Sequence, residues 1–211
     1  MDIVVTAAAT SNREAIPADT YVGRCVEMIQ IGTLTKTFEG KQKEVPTVRL
    51  SWELPDYKVE YDGKEEPAMI GEEFTLSLHE KAGLRKVLKS WRGRDFTDEE
   101  LKGFSMKNLL GAPCMLSVAH ATKGDKTYAN VATVSKLMAK MVCPDQVNTS
   151  RILAYGEDFD WAVFDALPNW IKDKMKTTPE FIKQAAGRKL STAPTPANAT
   201  TTEPDDNDLP F

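Results

Sequence analysis

The segment VPTVRLSWEL (45–54) alternates apolar and polar side chains in its central part. Val48, Leu50 and Trp52 fall on one side, and the polar residues between them fall on the other. A period of two predicts a β-strand with one buried, apolar face. Four more segments, each alternating or rich in β-branched residues, predict strands: YVGRCVEMIQI (21–31), EEFTLSLH (72–79), PCMLSVAH (113–120) and TYANVATVSKL (127–137).

The period changes between the third and fourth predicted strands. In KAGLRKVLKSWRGR (81–94), the apolar residues Leu84, Val87, Leu88 and Trp91 recur at helical spacing, which predicts an amphipathic helix. Thr97 and Glu100 have the spacing of a capping box and predict a short second helix. Asp62-Gly63 predicts a turn within 56–67. Three strands, a helix and two strands are the element order of a five-stranded OB-fold barrel, whose helix lies between strands 3 and 4.

Composition divides the chain into four parts. Residues 1–20 form an N-terminal arm, and 21–143 form the OB-fold domain, which makes the protein mainly β. Residues 144–190 form an appended helical segment. Its first helix, 158–167, ends at Pro168, and its second begins at Pro179 and ends before Gly187. We expect Trp161, Phe164 and Trp170 to pack on the barrel. Residues 191–211 form a disordered Ser/Thr/Ala/Pro linker and an acidic tail.

Charge and cysteine content limit the class of protein. The net charge is -4, from 27 basic and 31 acidic residues, and four of the acids lie beyond Ser191, where no basic residue occurs. The three cysteines are widely spaced, which argues against a disulfide framework and predicts a reducing, cytoplasmic location. The N-terminus lacks the basic and long apolar regions of a signal peptide. No segment has the roughly 18 apolar residues of a membrane span, so no membrane partner is predicted.

The sequence predicts a binding protein and not an enzyme. It contains no phosphate-binding loop, dinucleotide fingerprint, HExxH or CxxC motif. His79 and His120 are the only histidines and lie at predicted strand ends, where solvated or hydrogen-bonded roles are typical. No catalytic residue, metal ligand or cofactor is therefore predicted.

Binding of single-stranded DNA requires cations near the phosphates and aromatic rings on which bases stack. The predicted loop 33–44 interleaves three lysines with one phenylalanine, and the loop between the last two strands adds two lysines and a tyrosine. In an OB barrel, a sheet face and these two loops line one groove. The predicted ssDNA contacts are Arg24, Lys36, Phe38, Lys41, Lys43, Arg49, Lys123, Lys126 and Tyr128.

Structural interpretations stay open beside this one, because loops are commonly basic in soluble proteins. Phe38 could fold back onto the barrel, and the alternation places Trp52 in the core. The basic run 81–94 contains no acid and could follow a DNA backbone, hold an acidic tail or simply face solvent.

The C-terminal heptapeptide DDNDLPF (205–211) closely resembles the tail of bacterial single-stranded DNA-binding proteins, which ends in acids followed by Ile or Leu, Pro and Phe. Here Asn207 interrupts the acidic run. The body differs from the bacterial form and looks more like bacteriophage-encoded single-stranded DNA-binding proteins. The segment LPNWIKDKMKTTPEF (167–181) also resembles a helical segment of such phage proteins. Because the barrel departs from the bacterial pattern, no base-stacking residue is carried over from that family.

The resemblance implies that the tail docks on replication, recombination and repair proteins. The Phe ring would enter an apolar pocket, while the terminal carboxylate and the acids would meet a basic rim. The implied docking residues are Asp205, Asp206, Asp208, Leu209, Pro210 and Phe211.

We therefore expect a protein that coats single-stranded DNA with little sequence preference, in a bacterial host cytoplasm if it is phage-encoded. Two alternatives use the same tail: a protein-interaction adaptor and a strand-annealing recombination protein. The sequence carries no signature of a particular oligomeric state.

Overall fold

The structure is a computed structural model that describes residues 15–61 and 63–191. It is mainly β, with six strands in one sheet. The strands are β1 (Thr20–Phe38), β2 (Lys41–Tyr61), β3 (Lys64–Thr75), β4 (Pro113–Lys123), β5 (Lys126–Ser135) and β6 (Arg151–Leu153). Within the described ranges, no helix has the length and apolar character needed to cross a membrane.

The strand order is β3-β2-β1-β4-β5, and every neighbouring pair in this path is antiparallel. The short strand β6 pairs parallel with the middle of β1. The sheet differs from the predicted five-stranded closed barrel, because it has six strands and is not closed. Its outer strands β3 and β5 approach each other without a hydrogen-bonded ladder between them.

The β1–β2 hairpin is longer than the sequence predicts. Residues 33–44, predicted as a loop, continue both strands, and the register runs from Arg24↔Glu53 to Phe38↔Lys41. The turn contains Glu39 and Gly40, both with positive φ. Side chains in 33–44 alternate between the two faces of the sheet, but polar residues lie on both faces. The sequence therefore lacks the alternation of apolar and polar residues that predicts a strand. The backbone N–H and C=O groups of the two strands bond to each other, so this part of the hairpin forms although it has no apolar face.

The third strand is also shifted. It begins at Lys64, directly after the predicted Asp62-Gly63 turn, and ends at Thr75, whereas the sequence predicts 72–79. Gly63 has a φ of 73°, as a tight hairpin turn requires. Leu76–His79 leave the sheet and lead into the first helix.

Five α-helices are described: α1 (Gly83–Arg92), α2 (Asp98–Lys102), α3 (Trp161–Ala166), α4 (Asn169–Lys176) and α5 (Pro179–Ser191). The amphipathic helix is confirmed, because Leu84, Leu88 and Trp91 of α1 are buried. The capping box of Thr97 and Glu100 is also confirmed. Helix α5 begins at Pro179 as predicted but continues through Gly187 to Ser191. A single glycine costs a helix about 1 kcal/mol and does not end it.

The sheet has an apolar cluster on each face. On the inner face, Leu50, Trp52 and Leu54 pack with α1, as the alternation predicts. On the outer face, Ile29 and Ile31 of β1 pack under β6 and helices α3–α5. The polar residues between the core residues of β2 are therefore covered too, and Thr47 is fully buried.

A buried carboxylate fixes the start of the C-terminal segment. Glu53 is fully buried and accepts hydrogen bonds from the backbone N–H of Val147 (2.9 Å) and Asn148 (2.8 Å) and from the Asn148 side chain (2.8 Å). Three more carboxylates connect the sheet to this segment: Glu27 to Arg151, Glu73 to Lys174, and Glu180 to Thr33. Residues 144–190 thus include an extended part and a strand as well as helices, and they pack directly on the sheet.

Candidate functional site

The tip of the β1–β2 hairpin carries three lysines whose ammonium groups meet no carboxylate among the residues that the structure describes. Lys36 lies directly opposite Lys43, and Lys41 pairs with Phe38 in the last rung of the ladder. Directly opposite residues project from the same face of a sheet, and like charges in that arrangement repel each other. None of the three lysines forms an ion pair with a residue in the described part of the chain. An anion bound here would relieve the repulsion.

A groove of about 580 Å³ separates this hairpin from the turn between α4 and α5. Lys36 and Glu44 line the hairpin side, and Lys174 and Thr177 line the helical side. Lys174 donates to Glu73 of β3 at 2.6 Å, so its charge is neutralised locally. Polar and apolar groups both line the groove, and its Lys36 wall continues into the hairpin tip.

Arg49 lies at the other end of this surface, under the ring of Trp170. Its Cζ atom is 4.8 Å from the ring centroid, and the Lys174 Nζ atom is 5.4 Å from it. The glycine at position 71 leaves room for the guanidinium, since a Cβ there would lie 2.5 Å from Arg49 Nη2. Trp170 itself is 49% exposed.

The Arg49 guanidinium has unused hydrogen-bonding capacity. It is partly buried, and burial lowers its pKa, while the carboxylates of Glu73, Glu27 and Glu72 oppose that shift. Over the described residues, it donates no hydrogen bond to a protein acceptor. A guanidinium has five N–H donors in a planar arrangement that suits a phosphate.

The structure assigns Arg24 a structural role. Its guanidinium donates to the carbonyl oxygens of Gly111 (2.7 Å), Cys143 (3.2 Å) and Pro144 (2.7 Å). These contacts hold the chain where it passes from the β5 side of the sheet to the C-terminal segment. Arg24 therefore does not join the other predicted ssDNA contacts.

The β4–β5 hairpin carries the remaining predicted contacts. Lys123 pairs with Lys126 at its tip, and Tyr128, opposite Ala121, is 47% exposed. Strand β4 pairs with Thr20–Arg24, at the start of β1, and then runs past it. The β1–β2 tip lies at the end of β1. The two basic hairpins are therefore at opposite ends of this strand, rather than side by side.

The basic run 81–94 is largely neutralised by acids that follow it in sequence. Arg85 and Lys89 both pair with Asp95, and Arg92 and Arg94 both pair with Glu100. Arg92 also lies over the rings of Phe96 and Phe104. Four of its six cations are thus engaged within the protein, which favours the solvent-facing interpretation over a DNA track or a tail-docking site.

These ion pairs predict a loss of stability in acid. The hydrogen bond from Lys89 lowers the pKa of Asp95 to about 2. Hydrogen bonds from Arg94 and from the Thr97 backbone lower the pKa of Glu100 to about 2. Unfolded Asp and Glu titrate near 3.9 and 4.3, so this stabilisation is present in full above about pH 5.5 and is lost progressively as the pH falls toward 2. Urea unfolding of native protein and of an Asp95→Asn/Glu100→Gln variant between pH 6 and 2 tests this. The variant should show a flatter pH dependence; equal slopes would contradict the prediction.

The two histidines form hydrogen bonds within the protein, and the three cysteines form no disulfide. His120 Nε2 is 2.8 Å from the carbonyl oxygen of Ile16, and His79 Nδ1 accepts from the Lys81 backbone N–H. Burial raises the pKa of the Cys25 thiol to about 12, and all three thiols are free. In the described ranges, no group of three or more His, Cys, Asp or Glu side chains is arranged to hold a metal ion.

The sequence analysis predicts that Trp170 packs on the barrel and does not place it in the candidate site. The ring contacts Arg49 of β2 but stays half exposed. Its spacing of four from Lys174, which places both on one helix face, is the one sequence signal of a shared surface. The predicted docking residues 205–211 lie outside the described residues. No protein-family model matches the chain, and a search of curated proteins finds no significant relative.

Proposed function

We propose that this protein binds single-stranded DNA through the β1–β2 hairpin and the adjoining groove, with little sequence preference and without catalysis. The observation that carries the proposal is the set of lysines at the hairpin tip, Lys36, Lys41 and Lys43, which form no ion pair within residues 15–61 and 63–191. Elsewhere on the described surface, the densest basic run is paired with acids. Cations without protein partners release counterions when they neutralise phosphates, and this supplies most of the sequence-independent affinity.

We further propose that the sheet is an OB-type barrel opened at one seam. The order β3-β2-β1-β4-β5, with α1 between β3 and β4, is that of such a barrel cut between β3 and β5. The proximity of these two edge strands supports this proposal. Strands and hairpins of an OB barrel are suited to a flexible single strand.

The tail 205–211 completes the proposal as a docking peptide for replication, recombination and repair proteins. Its support is the resemblance of DDNDLPF to the tails of bacterial single-stranded DNA-binding proteins. A bacteriophage-encoded protein of that kind is proposed on a separate ground, the likeness of the body and of segment 167–181 to such phage proteins. Residues 1–190 carry no net charge, because the four acids beyond Ser191 account for the net charge of -4.

Fluorescence anisotropy with labelled oligo-dT and with a duplex of the same length tests the proposal. We expect binding to oligo-dT at low salt, weaker binding to the duplex, and an affinity that falls steeply as salt increases. Absence of oligo-dT binding at low salt would overturn the proposal and favour a protein-binding adaptor. Faster pairing of complementary oligonucleotides would identify strand annealing as an additional activity.

Removal of residues 191–211 is expected to leave oligo-dT affinity unchanged or to increase it. The four acids it removes repel phosphate and compete for the same lysines, so the effect should be largest at low salt. A full-length variant with Glu203→Gln, Asp205→Asn, Asp206→Asn and Asp208→Asn is the matched control, because it removes the charge but keeps the chain. Loss of oligo-dT binding on truncation would contradict the assignment of binding to the folded part.

A further inference from the structure

We infer that Trp170 is a stacking platform for one nucleobase and that Arg49 binds the adjoining phosphate. This inference rests on the proposed function and extends the binding surface from the β1–β2 hairpin to helix α4. It assigns a ligand to two residues on different elements, one on β2 and one on α4.

Trp170 is the most exposed of the four tryptophans. Trp52 and Trp91 are buried, with 0% and 5% exposure, and Trp161 is partly buried in the outer apolar cluster. Trp170 is 49% exposed although it lies on a helix that packs against the sheet. A large aromatic ring left in water is unfavourable, and such rings are enriched where a partner covers them.

Arg49 holds this ring in place and has donors to spare. Its guanidinium lies over the Trp170 ring, with Cζ 4.8 Å from the centroid, and its N–H groups donate to no acceptor in the described part of the chain, so they are available to a second partner. Glu73 lies directly opposite Arg49 across the strand pair, and Lys174 donates to one oxygen of its carboxylate at 2.6 Å. An acceptor from outside the protein, such as a phosphate oxygen, would satisfy a cation that burial has partly stripped of water.

Position connects this pair to the hairpin. Trp170 lies one helical turn before Lys174, and Lys174 lines the groove whose opposite wall is Lys36. A strand bound at Lys36, Lys41 and Lys43 could therefore continue through the groove to the Trp170 ring. Stacking on the ring needs only the π-face of a base, so the contact would tolerate any sequence.

Tryptophan fluorescence and affinity test the inference together. Oligo-dT should quench the fluorescence of the native protein, and Trp170→Phe should abolish most of the quenching while keeping affinity within about threefold, because a phenyl ring still stacks. Trp170→Ala should lower the affinity by between about 5-fold and 150-fold, the range for one base stacked on an aromatic ring. Arg49→Gln should lower the salt slope by about 0.7, the contribution of one phosphate contact.

Ile182→Ala is the matched control, since Ile182 is an exposed apolar residue on the neighbouring helix α5. If the native protein binds oligo-dT but quenching persists in Trp170→Phe, or Trp170→Ala binds like the control, the inference is wrong and the exposed ring belongs to a protein-binding surface. If the native protein does not bind oligo-dT at all, the proposed function itself fails. Trp170→Phe keeps the test decisive even if Trp170→Ala folds poorly.

Discussion

Reversal of charge at Lys36, Lys41 and Lys43 to glutamate is expected to weaken oligo-dT binding by at least about 100-fold at low salt. The three lysines share the tip of one hairpin and have no acidic partner in the described structure, so their positive charge is available to phosphates. Each lost phosphate contact lowers the salt slope by about 0.7 for single strands, which predicts a slope smaller by about 2 in the triple variant. Anisotropy titrations at four or five salt concentrations measure both quantities.

The control reverses three exposed lysines in the connection between β3 and β4: Lys86, Lys102 and Lys107. It changes the net charge by the same amount but leaves the hairpin intact. We expect a loss of affinity of only a few-fold, from the general field of the protein. An equal loss in both triple variants would show that net charge, rather than the hairpin, determines binding.

Gly32→Ala is expected to destabilise the protein by about 3 to 4 kcal/mol, from backbone strain and overpacking together. Gly32 has a φ of 105°, which side-chain-bearing residues rarely adopt. A Cβ there would lie 2.6 Å from the Thr178 Oγ1 atom. Thr178 is fully buried and donates to the Met175 carbonyl, so it has little freedom to move away.

Gly40→Ala separates the two contributions. Gly40 also has a positive φ, 76°, but a Cβ there would meet nothing within 4 Å. It should cost about 1 kcal/mol, the strain alone. Urea unfolding of both variants gives the comparison. Equal destabilisation would indicate that the turn between α4 and α5 does not pack tightly on β1.

The features that local patterns predicted are those set by neighbours in sequence. Val48, Leu50 and Trp52 repeat with a period of two and are buried, and Leu84 and Leu88 repeat at helical spacing and are buried. The capping box and the start of α5 at Pro179 depend on residues within one turn. Such signals need no knowledge of the rest of the chain.

The features that sequence reasoning missed depend on distant partners. The sequence predicts Arg24 as an outward-facing cation, whereas its guanidinium donates to carbonyl oxygens up to 120 residues away in the chain. The local pattern of β2 suggests that Glu53 faces solvent, whereas its carboxylate is buried and accepts hydrogen bonds from the backbone N–H groups of Val147 and Asn148. The neutralisation of α1 was missed for a simpler reason, since Asp95 lies one residue beyond the basic run.

The sequence predicts a basic loop over 33–44, and whether its lysines bind DNA stays a prediction. The structure shows that these lysines share the tip of one hairpin and that the segment forms paired strands. The Trp170–Arg49 contact was not recognised, because it joins positions 121 residues apart across a helix–sheet interface. Long-range packing of that kind leaves no periodic signal in either segment.

The apolar cluster on the outer face of β1 has a consequence for any attempt to divide the chain. Ile29 and Ile31 are fully buried, and their cover comes from residues beyond 150. A protein cut at residue 143 would expose both isoleucines to water. It would also remove the backbone and side-chain amides of Val147 and Asn148 that donate hydrogen bonds to Glu53. The folding of the chain would therefore have to be studied with both parts present, because β1 contributes residues to both apolar clusters.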